Sequence, residues 1–289
     1  MSPDKRILLG VDIGGTKISY CYFDRSYNLV DKNTLDTSSF PQGKKDFFLQ
    51  LEKSIRDYIL PSVKLVGLSV KGMTKNGIVT YSPLAGGVTN YLAELRLKKL
   101  SNVSVLVDND VNCMARAESC FGYGKNCQSF VLVNLGTGLR VSFYSDRLLM
   151  RGYKNKLGEV TFEKVFVPEF SKEVELGKIV SGRGLGLIYK EMSGEEKQPL
   201  DIFKSSVSDH FCRKSVNIFV RYLAHLFSQI SIYYNPQRII INGSLKLSFK
   251  KFLPEATNIY RENTKKELLC SGIFISKLDE AGALGSVIG

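Results

Sequence analysis

The stretch ILLGVDIGGTKISYCYFD, residues 7–24, joins two apolar segments through an acid and a glycine turn. The apolar pattern on both sides predicts two antiparallel strands, so the turn forms the tip of a β-hairpin. Glycines in such a tip can adopt positive φ and allow backbone N–H groups to approach an anion closely. The acid and the residues of the tip are Asp12, Gly14, Gly15, Thr16 and Lys17.

These residue types match the needs of a nucleotide phosphate. Thr16 adds a hydroxyl donor and Lys17 adds a cation to the backbone N–H groups. An ionised Asp12 only accepts hydrogen bonds, so it suits a hydrated Mg²⁺ ion that accompanies nucleotide phosphates. We therefore expect a phosphate site at this turn, with Asp12 holding the metal through water.

The sequence NLGTGLR, residues 134–140, repeats the arrangement. Gly136, Thr137 and Gly138 again separate two apolar segments. One such turn is equally well explained as a tight hairpin connection. Two turns in equivalent places indicate that both hold the phosphates of one nucleotide.

The two turns open two copies of one scheme. Each copy begins with antiparallel strands, carries the glycine turn at its first tip and continues with alternating helices and strands. This pattern predicts an α/β protein with two similar lobes and a cleft between them. We place the lobes at residues 1–122 and 123–279, with a last helix, residues 280–289, packing back on the first lobe.

The composition excludes several classes of protein. Hydrophobic residues make up 44% of the 289 residues, and no apolar segment reaches the length of a membrane span. The polar N-terminus predicts no secretory signal. Six dispersed cysteines without a CxxC pair predict neither disulfides nor a structural zinc site, so we expect a cytoplasmic protein.

The net charge of +12 is a separate signal, because nucleic-acid binders are also basic. Here the lysines and arginines are dispersed, without an arginine-rich arm or an aromatic–basic platform. The charge favours a basic surface that attracts anionic small molecules, and we expect neither a nucleic-acid nor a membrane partner.

Five segments, in their order along the chain, resemble the ROK family of sugar kinases, close to bacterial glucokinases and N-acylhexosamine kinases. They are LGVDIGGTKIS, VLVDNDVNCMARAES, VLVNLGTGL, LGE and IVSGRGLGLIY. The resemblance implies an actin/hexokinase-like (ribonuclease H-like) fold, duplicated in two lobes around a central cleft. It also implies ATP and Mg²⁺ as cosubstrates, a hexose held between the lobes and, as in many relatives, a homodimer.

The segment VSVLVDND, residues 103–110, supplies the carboxylate for the chemistry. It is typical of a strand that ends in acids, and open α/β sheets build their sites at the carboxyl ends of strands. Asp110 matches the general base of the family, and Asn109 is expected to orient sugar hydroxyls because an amide both donates and accepts. Capping of the next helix by Asn109 or Asp110 is the structural alternative. Asp108 receives no role.

Further sugar contacts follow from the resemblance. Gly72 matches a backbone turn of the sugar pocket, and Asn90 is another candidate contact. Glu159 matches a glutamate that binds hydroxyls near the reducing end of the sugar, and Glu175 lies two residues from the expected place of a second glutamate. Phe162 stands where the family usually has a histidine. Because phenylalanine forms no hydrogen bonds, we expect a more apolar pocket or another substituent there.

Two glycines are the candidates for the adenosine end of ATP. Gly243 follows a predicted strand and matches one of a glycine pair that runs against the nucleoside. Gly282 belongs to a C-terminal helix that is expected near the adenine. Arg140 follows the second glycine turn where relatives have glycine, so it reaches a phosphate, blocks its approach or faces solvent at the strand edge.

These observations predict ATP-dependent phosphorylation of a hexose or an N-acylhexosamine at its 6-hydroxyl, with Asp110 as general base. The alternative is a member of the same fold that binds sugar or nucleotide with little or no kinase activity, as Phe162 and Arg140 suggest. A third hypothesis is a DNA-binding repressor, since the family includes those. Such repressors carry a helix-turn-helix domain ahead of the first turn, which here lies within the first seventeen residues.

Overall fold

The computed structural model describes residues 5–101 and 103–289, without the side chains of residues 100, 101 and 247. Residues 1–4, on which the expectation of no secretory signal rests, lie outside the described residues. The chain divides into two compact units. The first comprises the chain up to Lys125, Arg151–Leu157 and Lys277–Gly289; the second comprises Asn126–Met150 and Gly158–Ser276.

The first unit is built on a sheet that contains the opening hairpin. Its strands are β1 (Leu8–Ile13), β2 (Lys17–Phe23), β3 (Leu29–Asp36), β4 (Leu65–Val70), β5 (Met73–Lys75), β6 (Ile78–Ser82), β7 (Gly87–Tyr91) and β8 (Ser104–Asn109). The main sheet has the order β3-β2-β1-β4-β8, and β5, β6 and β7 form a small separate sheet. In the main sheet β1 pairs antiparallel with β2 and parallel with β4, and β4 pairs parallel with β8.

The second unit repeats this topology. Its strands are β9 (Ser129–Leu135), β10 (Leu139–Ser145), β11 (Leu148–Met150), β12 (Lys164–Val167), β13 (Lys172–Glu175), β14 (Arg238–Asn242) and β15 (Gly272–Ile275). The main sheet has the order β11-β10-β9-β14-β15. As in the first unit, the strand before the glycine turn pairs antiparallel with the strand after it and parallel with a later strand.

Helices cover these sheets. Those of the first unit are α1 (Phe47–Asp57), α2 (Ala93–Ser101), α3 (Asp110–Phe121) and α8 (Ala281–Ser286). Those of the second unit are α4 (Gly182–Ser193), α5 (Pro199–Ser205), α6 (His210–Tyr234) and α7 (Phe249–Asn263). Among the described residues, no helix combines the length and the apolar character that crossing a bilayer requires.

The C-terminal helix α8 packs on β1, β4 and α3 of the first unit. Gly10 of β1 and Gly67 of β4 are neighbours in the parallel register. A Cβ at Gly10 would lie 2.2 Å from the Ala283 carbonyl oxygen, and a Cβ at Gly67 would lie 2.3 Å from that of Ser286. The two strand glycines therefore allow α8 to lie directly on the sheet.

Two segments differ from the sequence-based expectation. A helix is predicted from Asn90, but Gly87–Tyr91 forms strand β7 and the helix begins at Ala93. The sequence assigns Arg151–Leu157 to the second lobe, whereas the structure packs it with the first unit. There the Asn155 amide donates to the Thr74 carbonyl oxygen at 2.7 Å, a long-range contact that no local pattern predicts.

Candidate active site

The first glycine turn connects β1 to β2 and is braced by Thr37. The Gly14 N–H donates to the Lys17 carbonyl oxygen at 3.0 Å, which closes the hairpin. The Thr37 N–H donates to the Thr16 carbonyl oxygen at 2.9 Å. The Thr37 hydroxyl donates to the Gly14 carbonyl oxygen, also at 2.9 Å. Because Thr37 is fully buried, these bonds fix the turn from its inner side.

Gly14 of this turn is needed for space and not for a positive φ. Neither Gly14 nor Gly15 has a φ in the left-handed region, so the expectation of positive φ is wrong here. A Cβ at Gly14 would lie 2.8 Å from the Lys17 carbonyl oxygen, and a Cβ at Gly15 would lie 2.6 Å from Lys71 Nζ. A side chain at Gly14 would therefore meet backbone, whereas one at Gly15 would displace only the end of the flexible Lys71 side chain.

Two lysines lie near this turn and differ in their partners. Lys17 Nζ lies 3.7 Å from Glu280 Oε1, which Lys32 Nζ contacts at 2.5 Å. The Lys71 ammonium lies against Gly15, and its side chain is partly buried. Within residues 5–101 and 103–289, Lys71 forms no ion pair with an acid. The sequence indicates Lys17 as the cation of the turn, and the structure adds Lys71.

Asp12 lies near the end of β1, where its Oδ1 accepts a hydrogen bond from the Ser69 hydroxyl at 2.6 Å. Burial, with smaller contributions from the charges of Asp110 and Glu280, raises the pKa of Asp12 to about 6. An ionised Asp12, on which the charges of Asp110 and Glu280 act, would be stabilised by a hydrated Mg²⁺ ion, which takes only one or two carboxylates from a protein and fills its other positions with water and phosphate. The residues at this place therefore fit a Mg²⁺ ion.

Asn109 and Asp110 form the junction between β8 and α3. Asn109 is the N-cap of α3, and its side-chain oxygen accepts from the Asn112 N–H at 2.7 Å. Asp110 is the first residue of the helix, and its Oδ1 accepts from the Val111 N–H at 3.0 Å. The capping alternative thus holds for Asn109. It leaves Asp110 at a helix N-terminus, near enough to Asp12 to influence its charge.

Asp108, to which the sequence assigns no role, organises this junction. Its buried carboxylate contacts Arg116 Nη2 at 2.6 Å and Arg151 Nη2 at 2.7 Å, and it accepts from the Asn109 N–H at 2.8 Å. Burial alone would raise the pKa of Asp108, but the two guanidinium groups hold it below its ordinary value. Arg116 also donates to the Gly285 carbonyl oxygen at 2.8 Å, which ties α8 to the junction.

The remaining sugar candidates of the first unit differ in setting. Gly72 is buried two residues after the end of β4, and a Cβ there would lie 2.2 Å from the Tyr81 carbonyl oxygen. Asn90 is exposed on β7, and its side chain forms no hydrogen bond in the described part of the chain. The structure therefore shows a closely packed turn at Gly72, as the sugar-pocket prediction requires. It shows no comparable packing around Asn90.

The second glycine turn connects β9 to β10 and lies at the beginning of α4. The Gly182 N–H donates to the Gly136 carbonyl oxygen at 2.8 Å, and the Arg183 N–H donates to that of Thr137 at 3.3 Å. Gly136 and Gly138 also lack positive φ. The turn and a helix N-terminus therefore stand together, an arrangement that favours anions.

A cavity of about 600 Å³ opens beside this second turn. Sequence reasoning missed it, although the segment IVSGRGLGLIY, which contains the start of α4, is part of the resemblance. Polar residues of the turn and apolar side chains of α4, α5 and the segment after β14 line it. They include Gly136, Thr137, Arg183, Leu187, Pro199, Leu200 and Leu245.

The two nucleoside candidates lie in different units. Gly243 follows β14 with a φ of 115°, and a Cβ there would lie 2.2 Å from the Leu135 carbonyl oxygen, so only glycine fits. Asn134 Oδ1, next to it, is buried and has no hydrogen-bond partner among the described residues. Gly282 lies on α8, where a Cβ would be 2.6 Å from Asp12 Oδ1. Gly282 therefore lies next to the candidate metal ligand Asp12 and not at the cavity.

Glu159 and Arg140 face one another in the second unit. Gly158 has a φ of 92°, and a Cβ there would lie 2.1 Å from the Val141 carbonyl oxygen, so the chain passes close to β10. This approach places Glu159 Oε1 at 3.5 Å from Arg140 Nη1. Arg140 is thus the ion-pair partner of a candidate sugar contact. The sequence predicts instead that Arg140 reaches a phosphate, blocks its approach or faces solvent.

The other two candidates of this region are more exposed. Phe162 is 62% exposed in a short 3-10 helix that follows Glu159. Glu175 ends β13 and pairs with Lys178 at 3.0 Å.

In the part of the chain that the structure describes, no three His, Cys, Asp or Glu residues are grouped so that they could hold a metal ion.

Comparisons with known proteins agree with this organisation. A model of the ROK family matches residues 8–288. An N-acetyl-D-glucosamine kinase of Aliivibrio salmonicida is 26% identical over 82% of this chain and 83% of its own. A glucokinase of Halalkalibacterium halodurans is 24% identical over 83% of this chain and 81% of its own.

A ROK family glucokinase from Streptomyces griseus, solved in complex with glucose and AMPPNP, is similar in structure. Its TM-score is 0.80 at 19% identity, covering 97% of this chain and 98% of that one. The likeness confirms the predicted fold, a mixed α/β chain of the actin/hexokinase-like class with two lobes.

Proposed function

This chain belongs to the ROK family, and we propose that it transfers the γ-phosphoryl group of ATP to a hydroxyl of a hexose or an N-acylhexosamine. One observation carries the proposal: Asp110 opens α3 in the unit that bears the first glycine turn, and its charge acts on Asp12. The proposed base for the acceptor hydroxyl and the proposed ligand for the metal thus belong to one unit. The family supports sugar phosphorylation, and the relatives above act on different sugars.

The two glycine turns are proposed to hold the ATP phosphates. Gly14, Gly15, Thr16 and Lys17 contribute the first turn, whose glycines leave no side chain in the way. Gly136, Thr137 and Gly138 contribute the second, where the α4 N-terminus adds backbone donors. The cavity beside the second turn has the size and the apolar lining for a nucleoside, with Gly243 near it as a backbone contact.

Asp12 is proposed to hold Mg²⁺, through water. When bound, the ion neutralises phosphate charge and orients the phosphates for transfer. The Ser69 hydroxyl orients the Asp12 carboxylate by its hydrogen bond. Gly282 leaves room beside this carboxylate, so we propose that it contributes to the metal–phosphate region through its lack of a side chain.

Each unit has its own proposed sugar contacts. Asn109 and Gly72 contribute from the first unit, with Asn90 as a more distant candidate. Glu159 contributes acceptors for sugar hydroxyls from the second unit, and Glu175 is its proposed companion. Because Arg140 pairs with Glu159, we place Arg140 on the sugar side and not on the phosphate side of the reaction.

Asp110 is proposed to accept the proton of the sugar 6-hydroxyl as its oxygen bonds to the γ-phosphorus. General-base assistance of this kind contributes roughly 10²- to 10⁴-fold to a rate. Exclusion of water around the acceptor hydroxyl would limit the hydrolysis of ATP. Free cysteines and the use of ATP suit a cytoplasmic enzyme, and we include this location in the proposal. We also propose that the enzyme has no nucleic-acid partner.

The test is sugar-dependent formation of ADP. The chain is incubated with ATP, Mg²⁺ and separate sugars: glucose, mannose, N-acetylglucosamine and N-acetylmannosamine. At least one sugar should stimulate ADP formation well above the rate without sugar. Binding of sugar or nucleotide without turnover of any sugar would instead indicate a member of the fold without kinase activity.

A further inference from the structure

Lys71 occupies a place that the proposed function does not yet use. It follows β4 directly, and the next residue, Gly72, is a proposed sugar contact. Its ammonium lies against Gly15 of the first glycine turn, a proposed phosphate contact. One side chain therefore joins the proposed sugar turn to the proposed phosphate turn. The transferred phosphoryl group must pass between these two turns, so this inference rests on the proposed function.

The backbone of Lys71 is fixed from two directions. Its N–H donates to the Ile13 carbonyl oxygen at 3.2 Å, and its carbonyl oxygen accepts from the Ser82 hydroxyl at 2.8 Å. Gly72 packs so closely on Tyr81 that no Cβ fits there. These contacts set the direction of the Lys71 side chain, and they reduce the reorganisation that a bound phosphate would require.

The charge of Lys71 lacks an acidic partner. The ammonium is partly buried, and over the described ranges no carboxylate lies within ion-pair distance of it. A cation that has lost part of its hydration is stabilised by an anion. Lys17, the other lysine of the turn, already pairs with Glu280. Lys71 is thus the lysine at the turn whose three N–H donors remain available for a phosphate.

We propose that Lys71 is a catalytic residue that stabilises the γ-phosphoryl group during its transfer. The hydroxyl oxygen of the sugar bonds to the γ-phosphorus, and its proton passes to the Asp110 carboxylate. The bond from the γ-phosphorus to the β–γ bridging oxygen breaks, and its electron pair leaves on ADP. Lys71 donates hydrogen bonds to the γ-phosphoryl oxygens throughout and keeps its own proton.

The experiment compares Lys71→Met, which keeps the length and removes the charge, with Lys71→Arg. Lys75→Met is the matched control, because Lys75 is exposed on β5, four residues away. We measure kcat and the sugar KM with the best sugar of the panel. We also titrate each protein, with Mg²⁺ present, with AMPPNP and with ADP, since only AMPPNP carries a γ-phosphoryl group.

We expect Lys71→Met to lower kcat about 100-fold, the loss typical of one preorganised donor, with a sugar KM near that of the wild type. AMPPNP should bind about tenfold more weakly and ADP unchanged, because the lost contact is to the γ-phosphoryl group. Lys71→Arg should recover part of kcat, and Lys75→Met should match the wild type.

A wild-type kcat in Lys71→Met would overturn the proposal, and so would an equal weakening of AMPPNP and ADP. If no sugar is turned over by the wild type, the proposed function fails. The titrations then decide about Lys71 separately: an unchanged ratio of AMPPNP to ADP affinity would remove it from the phosphate site.

Discussion

At the scale of single residues, Asp110 carries the proposed chemistry. Asp110→Asn keeps the size of the side chain and removes the base, so kcat should fall by at least about 100-fold. Sugar affinity, measured by calorimetry, should change little because the amide still forms hydrogen bonds. A near-normal rate in the variant would remove Asp110 from the mechanism.

The raised pKa of Asp12 predicts a pH-dependent stability. With a pKa of about 6, the folded chain binds a proton more tightly than the unfolded chain, so folding stability falls as pH rises from about 4 to about 6. Above pH 6 the ionised Asp12 costs up to about 3 kcal/mol in the metal-free protein. Asp12→Asn should therefore be more stable than the wild type at pH 7.5.

Urea denaturation in the presence of a chelator measures this difference. The advantage of Asp12→Asn should shrink as the pH is lowered towards 4, because the wild-type carboxyl becomes protonated in both states. The same variant should lose Mg²⁺-dependent turnover. A variant less stable than the wild type at pH 7.5 would contradict the account of Asp12.

Arg140 is expected to affect the sugar and not the nucleotide. Its ion pair with Glu159 predicts that Arg140→Ala raises the sugar KM about tenfold and leaves the ATP KM unchanged, since one charge-assisted contact is lost. Arg221→Ala is the matched control, because it breaks another arginine–glutamate pair of the same unit, at 2.7 Å on α6. A raised ATP KM with an unchanged sugar KM would place Arg140 at the phosphates.

The candidate residues that the sequence could indicate are those in short motifs. Asp12, Asp110 and the two glycine turns follow from local patterns of residue types. Asp108 could not be found this way, because its partner Arg151 lies far along the chain and only the fold brings the two together. The position of Lys71 against Gly15 could not be predicted either, because it depends on the pairing of β4 with β1.

At the scale of elements, α8 is the most closely packed. A Cβ at Gly285 would lie 1.7 Å from the Cys113 carbonyl oxygen on α3, so Gly285→Ala forces the two helices apart. We expect a loss of about 2 kcal/mol or more in the free energy of unfolding, measured by urea denaturation. Gly186→Ala in α4 is the control, because its Cβ would meet no atom closer than 3.6 Å. If both variants are equally stable, α8 is not packed as described.

The element boundaries show what local patterns can predict. The sequence predicts a helix around FKKFLPEATNIYREN, and α7 spans the same residues, Phe249–Asn263. The strand β7 was missed, since Gly87–Tyr91 is only partly buried and its conformation depends on pairing with β6. Pairing partners of a short edge strand are not visible in its own sequence.

At the scale of the whole molecule, the repeated sheet is the main result that the sequence anticipates. Both main sheets place the glycine turn between their first two strands and add two parallel strands on one side. This duplication could be predicted because the turn recurs in the same pattern of strands. The packing of Arg151–Leu157 with the first unit could not, because it depends on the ion pair of Arg151 with Asp108.

Phosphorus NMR of a complete reaction tests the central claim most directly. With ATP, Mg²⁺ and the preferred sugar, the account predicts one ADP for each sugar monophosphate, with the phosphate on the 6-hydroxyl. ADP without phosphorylated sugar, or no reaction with any hexose or N-acylhexosamine, would contradict it.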